Sequence, residues 1–238
     1  MKHDGLRIAS YNIRKAVGTD RKRDPDRILR IISELSADVV ALQEADRRLP
    51  PRRPALDRKA LRERTGLMPV EFEHGWDSLG WHGNAILVRP DIKVLDRAHF
   101  DLPGLEPRGA VSAVLETGGS LIRVIGVHLG LLRQSRRAQL SQLSEFLNDG
   151  SDIATVIVGD FNERSLSVGL GRLRPDFTNF DAGPTFHSRR PTFALDRFAC
   201  SQHLKPGIVG AMTTGEAALG SDHLPVFAEF STATDEAK

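Results

Sequence analysis

Apolar residues recur along this chain with two different periods. Short apolar runs bounded by Gly, Pro, Asn or Asp read as strands at "LRIASYNI" (6–13), "DVVALQE" (38–44), "GNAILVRP" (83–90), "AVSAVLE" (110–116), "LIRVIGVH" (121–128) and "IATVIVGDFN" (153–162). "TFALDRFAC" (192–200) reads as a shorter strand and "HLPVFAEF" (223–230) as the last one. "TGGS" (117–120) joins two of them as a hairpin. Between them, "DPDRILRIISELS" (24–36) spaces Ile28, Ile31, Ile32 and Leu35 along one helical face, with Asp24 as N-cap and Pro25 in the first turn. "ALDRKALRERTG" (55–66) is predicted to be a basic helix stopped by Gly66. "QSRRAQLSQLSEFLN" (134–148) is predicted to be a helix with Leu140, Leu143 and Leu147 on one side. Strands outnumber helices, which implies packed sheets with helices outside, in one α/β domain. A short disordered tail is expected near 232–238.

Composition changes this picture little. At 238 residues the chain is long enough to bury a core without staples, and 40% hydrophobic and 27% charged content are ordinary globular values. A lone cysteine, Cys200, excludes an internal disulfide framework and a cysteine-built zinc site. Neither a signal peptide nor a run of about 18 apolar residues is evident, so a cytoplasmic protein is expected.

Charge is more informative locally than globally. The formal net charge is only +2, but residues 47–66, "RRLPPRRPALDRKALRERTG", set eight Lys and Arg against two acids. "RKR" (21–23) and "RQSRR" (133–137) add further basic clusters. These are either solvated faces or attraction for polyanions: nucleic acid, anionic head groups or phosphorylated small molecules.

The chemistry lies where strands stop. The first ends in Asn12, the second in Glu44, a later one in His128 and another in Asp160 and Asn162. Asp196 lies in "LDRF", and Asp222 and His223 open the last strand. Reacting groups of layered α/β proteins gather at one end of the strands. Glu44, Asp160 and Asp222 brought together would need a counter-charge, and oxygen donors favour a hard ion such as Mg²⁺ or Mn²⁺. In an extended segment Asp160 and Asn162 share a face while Phe161 turns to the core. Asp222 and His223 are neighbours, so both can serve one site only if "LGSDHLP" is irregular.

"ASYNIR", "VVALQE", "GNAILV", "PRGAV", "VIGVHLG", "VIVGDFN", "LDRF" and "SDHLPV" follow one another in an order that resembles the endonuclease/exonuclease/phosphatase superfamily, through nearly the whole chain. The resemblance implies a four-layer α/β/β/α sandwich: two mixed, mostly antiparallel sheets with outer helices. It implies Mg²⁺- or Mn²⁺-dependent hydrolysis of a phosphoester. By position, Glu44 matches the principal metal ligand, with Asn12 close by and Asp222 assisting. His223 matches the general base, or the group that stabilises the phosphorane, with Asp196 fixing its tautomer. Asp160 would orient the water, Asn162 would donate to a phosphate oxygen, and Arg108 matches a supporting arginine. His128 resembles the deoxyribonuclease, sphingomyelinase and phosphatase branches, where apurinic-site nucleases tend to carry tyrosine. It would protonate the leaving oxygen or bind the phosphate. Arg133, with Arg136 and Arg137, follows close behind and would reach a polyanionic substrate, while Trp76 and Trp81 would lie near the cleft rim. Three readings follow: a nuclease or other phosphodiesterase, acting as a monomer; a hydrolase of lipid head groups or phosphorylated small molecules; and a binding module without turnover.

Overall fold

The computed structural model describes residues 5–232, except 48, 74, 76, 149, 166–172 and 174–176. Trp76 and the tail beyond Thr232 lie outside the described residues. The elements are β1 (Leu6–Asn12), a 3-10 turn (Arg14–Ala16), α1 (Pro25–Glu34), β2 (Val39–Gln43), α2 (Arg58–Thr65), β3 (Met68–Pro69) and β4 (Ala85–Val88). They continue with β5 (Lys93–Leu102), β6 (Arg108–Thr117), β7 (Ser120–His128), α3 (Arg133–Leu147), β8 (Ala154–Asp160) and β9 (Phe177–Asp181). The last are β10 (Asp196–Ser201), β11 (Leu204–Ala211), α4 (Gly215–Gly220) and β12 (Val226–Thr232).

The strands form two six-stranded sheets, ordered β11–β12–β1–β2–β4–β3 and β5–β6–β7–β8–β10–β9. Each contains one parallel pair, β1 with β2 and β7 with β8; the remaining pairs are antiparallel. Alternation of side chains then builds the layers. Ile8, Val39 and Ala41 from one sheet meet Val111, Val124, Val156, Val158 and Phe198 from the other in one buried cluster. The opposite faces bury Tyr11, Val40 and Leu42 under Ile28, Ile31 and Ile32 of α1, and Ile125, Val127 and Ile157 under Leu140, Leu143 and Leu147 of α3. Strands covered on both faces have no polar side, which is why β2 and β8 read as continuous apolar runs. The chain is a two-sheet sandwich with helices on its outer faces.

Local signals act as expected at the helix ends. The Asp24 carboxylate accepts from the Arg27 N–H at 2.9 Å, and Asp57 caps α2 through the Ala60 N–H at 2.8 Å. Gly66 closes α2 in the left-handed conformation at φ +70°. The last strand starts at Val226, so Asp222 and His223 precede it rather than open it. They sit in an irregular segment after α4, where His223 forms an isolated bridge with Phe186.

Candidate active site

Register explains why distant residues converge. In a parallel pair both strands end together, and an antiparallel neighbour begins where its partner ends. β7 and β8 stop side by side with His128 opposite Asp160, and β10 starts there with Asp196 opposite Asp160. Asn12 ends β1 opposite Gln43, in the other sheet. The two-residue period places Asn12, His128, Asp160 and Asp196 on the inner faces, two or four residues beyond Ser10, Val124, Val158 and ahead of Phe198 in turn. The inner faces meet at this end, and the Asn12 Nδ2 donates to Asp160 Oδ2 across them at 3.1 Å.

Asp160 is the centre of the site. It is buried, and its Oδ2 lies 3.4 Å from His128 Nε2 and 3.6 Å from His223 Nε2. Its other oxygen accepts the Asn162 N–H at 2.9 Å. The backbone before it is unusual. Gly159 has φ +150°, and a Cβ there would stand 1.9 Å from the Val127 carbonyl oxygen, so only glycine fits between β8 and β7. Phe161 does turn to the core, but Asn162 shares the pocket by a left-handed turn at φ +49° rather than by simple extension. One N–H of its carboxamide is committed to the Leu129 carbonyl at 2.9 Å, leaving one for a ligand.

His223 is held from behind. Its Nδ1 lies 2.9 Å from Asp196 Oδ2, which also accepts the Thr185 hydroxyl at 2.5 Å. Burial disfavours the imidazolium, but Asp196, Asp160 and Asp222 outweigh burial and raise its pKa to about 10. His128 goes the other way. Burial dominates the pull of Asp160, and Arg108 and His223 add to the burial, so its pKa falls to about 3. Its 3.4 Å contact with Asp160 is therefore that of a neutral imidazole rather than an ion pair. Phe186 shields this region, its ring 5.0 Å from that of His223.

These residues open onto a cleft of about 540 Å³ lined by Asn12, Glu44, Arg108, Asp160, Asn162 and His223, among others, with Asp222 also on its wall. Alternation alone would turn Glu44 outward; its positive φ of +53° brings it to the cleft instead. Glu44 pairs with Lys15, and Asp222 Oδ2 lies 3.3 Å from Arg14 Nε. Two sets of residues at the cleft carry donor atoms for a metal ion. Asp160, Asp196 and His223 offer atoms within 4.8 Å of one another. An ion among them would disrupt the His223–Asp196 hydrogen bond inside a buried wall. Glu44, Asn12 and Asp222 instead line the open cleft and carry side-chain oxygens, a donor chemistry that fits a hard divalent cation.

Other expected residues fall elsewhere. Arg133 is exposed at the start of α3 and lines neither this cleft nor the cavity beside it. Arg136 lines the cleft, but its guanidinium is spent on Glu163 at 2.9 Å and on the Gly130 and Leu131 carbonyls. Trp81 is half-buried against His99, with Nε1 donating to Asp101 at 2.9 Å. The strand-end pattern does not single out Thr185, Phe186, the Arg14–Lys15 pair or Ser221, whose hydroxyl donates to the Asn12 carbonyl at 2.6 Å. The basic "RK" directly after "YNI" was a usable sequence signal for the pair; Thr185 and Phe186 carry none.

The profile of the Endonuclease/Exonuclease/phosphatase family matches residues 9–223. The chain belongs to this family. It is 34% identical over 176 residues to the uncharacterised protein YbhP of Escherichia coli K12, covering 67% of this chain and 68% of YbhP. Among solved structures of the same fold are a mannosyl-6-phosphatase of Bacteroides thetaiotaomicron, with TM-score 0.73 and 19% identity, covering 95% of this chain and 99% of that one. Another is D. rerio TDP2 complexed with a single-strand DNA product, with TM-score 0.75 and 19% identity, covering 97% of this chain and all of that one. Among the described residues no helix is long and apolar enough to cross a membrane.

Proposed function

We propose that this protein is a divalent-cation-dependent phosphodiesterase that hydrolyses its substrate by in-line attack of water. The observation that carries the reading is the placement of Asp160 Oδ2 beside the Nε2 atoms of both His128 and His223, on a cleft also lined by Glu44, Asn12 and Asp222. A cation held by these three supplies charge neutralisation and polarises the phosphoryl group. The protein's own groups do the rest. Asp196 engages Nδ1, so Nε2 of the charged His223 faces the cleft, and water gives its proton to the Asp160 carboxylate beside it as the water oxygen bonds to phosphorus. The P–O bond to the alcohol breaks, and the alkoxide leaves by taking a proton from solvent, to which Asp160 then returns the one it accepted. The free carboxamide N–H of Asn162, the neutral His128 and Arg108 steady the phosphoryl oxygens.

Neighbours in fold include both a sugar phosphatase and a DNA-bound protein, so fold does not choose the substrate. We favour a small or lipid phosphoester over nucleic acid, because part of the charge of the basic clusters is already paired. Arg58 binds Glu71, Arg64 binds Asp26, Arg52 binds Asp46 and Arg136 binds Glu163. The test is hydrolysis of bis(p-nitrophenyl) phosphate, plasmid DNA, RNA and glycerophosphodiesters with Mg²⁺ or Mn²⁺, using His223→Ala as blank. Turnover of none of these above the blank sinks the proposal, and efficient cleavage of DNA or RNA alone restores the nuclease reading.

A further inference from the structure

Two cationic side chains reach the cleft from one short segment. Arg14, Lys15 and Ala16 follow β1 with φ of +48°, +57° and +62°, three successive non-glycine residues in the left-handed region. Such backbone is costly and persists only where its surroundings hold it. Here the Arg14 N–H donates to Asn12 Oδ1 at 3.2 Å, and the Lys15 N–H donates to the Glu44 carbonyl at 3.0 Å. The turn is thus tied to two of the residues proposed to hold the cation. Its side chains then pair with the two carboxylates of that set, Lys15 with Glu44 and Arg14 with Asp222.

The two pairs differ in how firmly they hold. Arg14 Nε lies 3.3 Å from Asp222 Oδ2, and its Nη1 also donates to the Gly18 carbonyl at 3.5 Å. Among the described residues the Lys15 ammonium has Glu44 Oε2 as its one partner. An ammonium carries three N–H donors, so two stay open. The side chains of Lys15 and Glu44 are 41% and 27% exposed, a setting in which an ion pair is weak. Lys15 also lines a small side cavity that shares Glu44, His128 and Leu131 with the cleft. It therefore borders the same space as His128, which the proposed reaction sets beside the phosphoryl oxygens.

A divalent cation and this ammonium make opposing demands. Both are drawn to Glu44, and side by side they repel each other. A phosphoryl group brings negative oxygens next to them, and a flexible four-carbon stem lets the ammonium turn to those oxygens. We infer that Lys15 is a substrate-binding residue that shares Glu44 with the cation: it competes with the cation for this carboxylate and turns to a phosphoryl oxygen when the cation takes its place. This rests on the phosphodiesterase reading and the cation site proposed with it. Removing the ammonium then helps the cation and harms the anion, a pair of effects that a merely structural lysine does not combine.

Titration of chelator-treated protein with Mn²⁺, followed by the spin-resonance signal of unbound Mn²⁺, reads the cation affinity. Calorimetry with inorganic phosphate at saturating Mg²⁺ reads the anion affinity. Lys15→Met keeps the length of the side chain and removes its charge. It is expected to bind Mn²⁺ at least about threefold more tightly than wild type, and phosphate at least about fivefold more weakly. Lys15→Arg keeps the charge and is expected to bind Mn²⁺ no more tightly than wild type. Lys22→Met removes a charge outside the lining of cleft and cavity, and at fixed ionic strength it is expected to alter neither constant by more than about twofold. Thermal melts verify folding, and Lys15→Gln carries the test if Lys15→Met does not fold. Mn²⁺ binding that is unchanged or weaker in Lys15→Met overturns the inference; so does unchanged phosphate binding, or an equal gain in Lys22→Met. Glu44→Gln separates the two claims. If it binds Mn²⁺ as wild type does, the cation lies elsewhere, and the proposed site falls together with the role of Lys15. If it loses Mn²⁺ while Lys15→Met binds as wild type does, the role of Lys15 alone falls.

Discussion

At the scale of single residues, two histidines on one carboxylate are driven to opposite charge states. His128 has a folded pKa of about 3, below the unfolded value near 6.5, so the unfolded chain binds its proton more readily. Its contribution to stability is complete above about pH 6.5 and is lost as pH falls towards 3. His223 has a folded pKa of about 10, so its contribution is complete below about pH 6.5 and is lost as pH rises towards 10. Chemical denaturation in metal-free buffer is therefore expected to give greatest stability near neutrality. His128→Asn should flatten the acid limb and His223→Asn the alkaline limb. An unchanged alkaline limb in His223→Asn would refute the charged state of that residue. Asp196 acts through His223: Asp196→Asn keeps the shape but withdraws the charge that orients and supports the imidazole. A kcat reduced on the order of 10²-fold or more is expected, with KM little altered. Thr185→Val removes only one donor to Asp196 and should cost about 1–2 kcal/mol of stability.

At the scale of elements, legibility followed burial. The central strands β1, β2, β4, β6, β7, β8, β10 and β12 were readable because a covered strand must be apolar. The strands that gave no signal, β3, β5, β9 and β11, are the four sheet edges. "KVLDRAHFDL" of β5 is charged and largely exposed, and "LKPGIVGA" of β11 carries Pro206 and a register shift. Such features blunt an edge against pairing with other chains, and they erase the pattern by which a strand is read. The candidate site was legible for the related reason that its residues terminate readable strands. Arg14, Lys15 and Glu44 were placed by left-handed backbone that no periodicity reports, and Thr185 and Phe186 lie in irregular chain. Gly159 joins element to site, because it lets β8 close on β7 and present Asp160. Gly159→Ala should push the two strands apart, lowering stability by at least about 2 kcal/mol. A melting temperature equal to wild type would show that the backbone there relaxes freely.

At the scale of the whole molecule, the two sheets share one buried cluster, from Ile8 and Val39 to Val156 and Phe198, and we read the chain as one cooperative unit. The proposed cation site adds to the stability of that unit. Asn12 and Glu44 extend from one sheet, while Asp160, to which Asn12 donates, ends a strand of the other. A cation on Glu44, Asn12 and Asp222 binds only where these segments are assembled, so it must stabilise the folded state by mass action. At about 100 times its Kd the gain is about 2.7 kcal/mol, which for a chain of this size raises the melting temperature by roughly 5–10 °C. Mg²⁺ or Mn²⁺ added to chelator-treated protein should give this shift as a single transition. Glu44→Gln should remove most of it, although the half-exposed pair with Lys15 is itself worth no more than about 1 kcal/mol. The alternative cluster of Asp160, Asp196 and His223 makes the opposite demand. If the ion sat there, Asp196→Asn would abolish the shift and Glu44→Gln would preserve it. Calorimetric melts of the two variants, with and without cation, distinguish the sites without any assay of turnover, so they locate the ion even before a substrate is in hand.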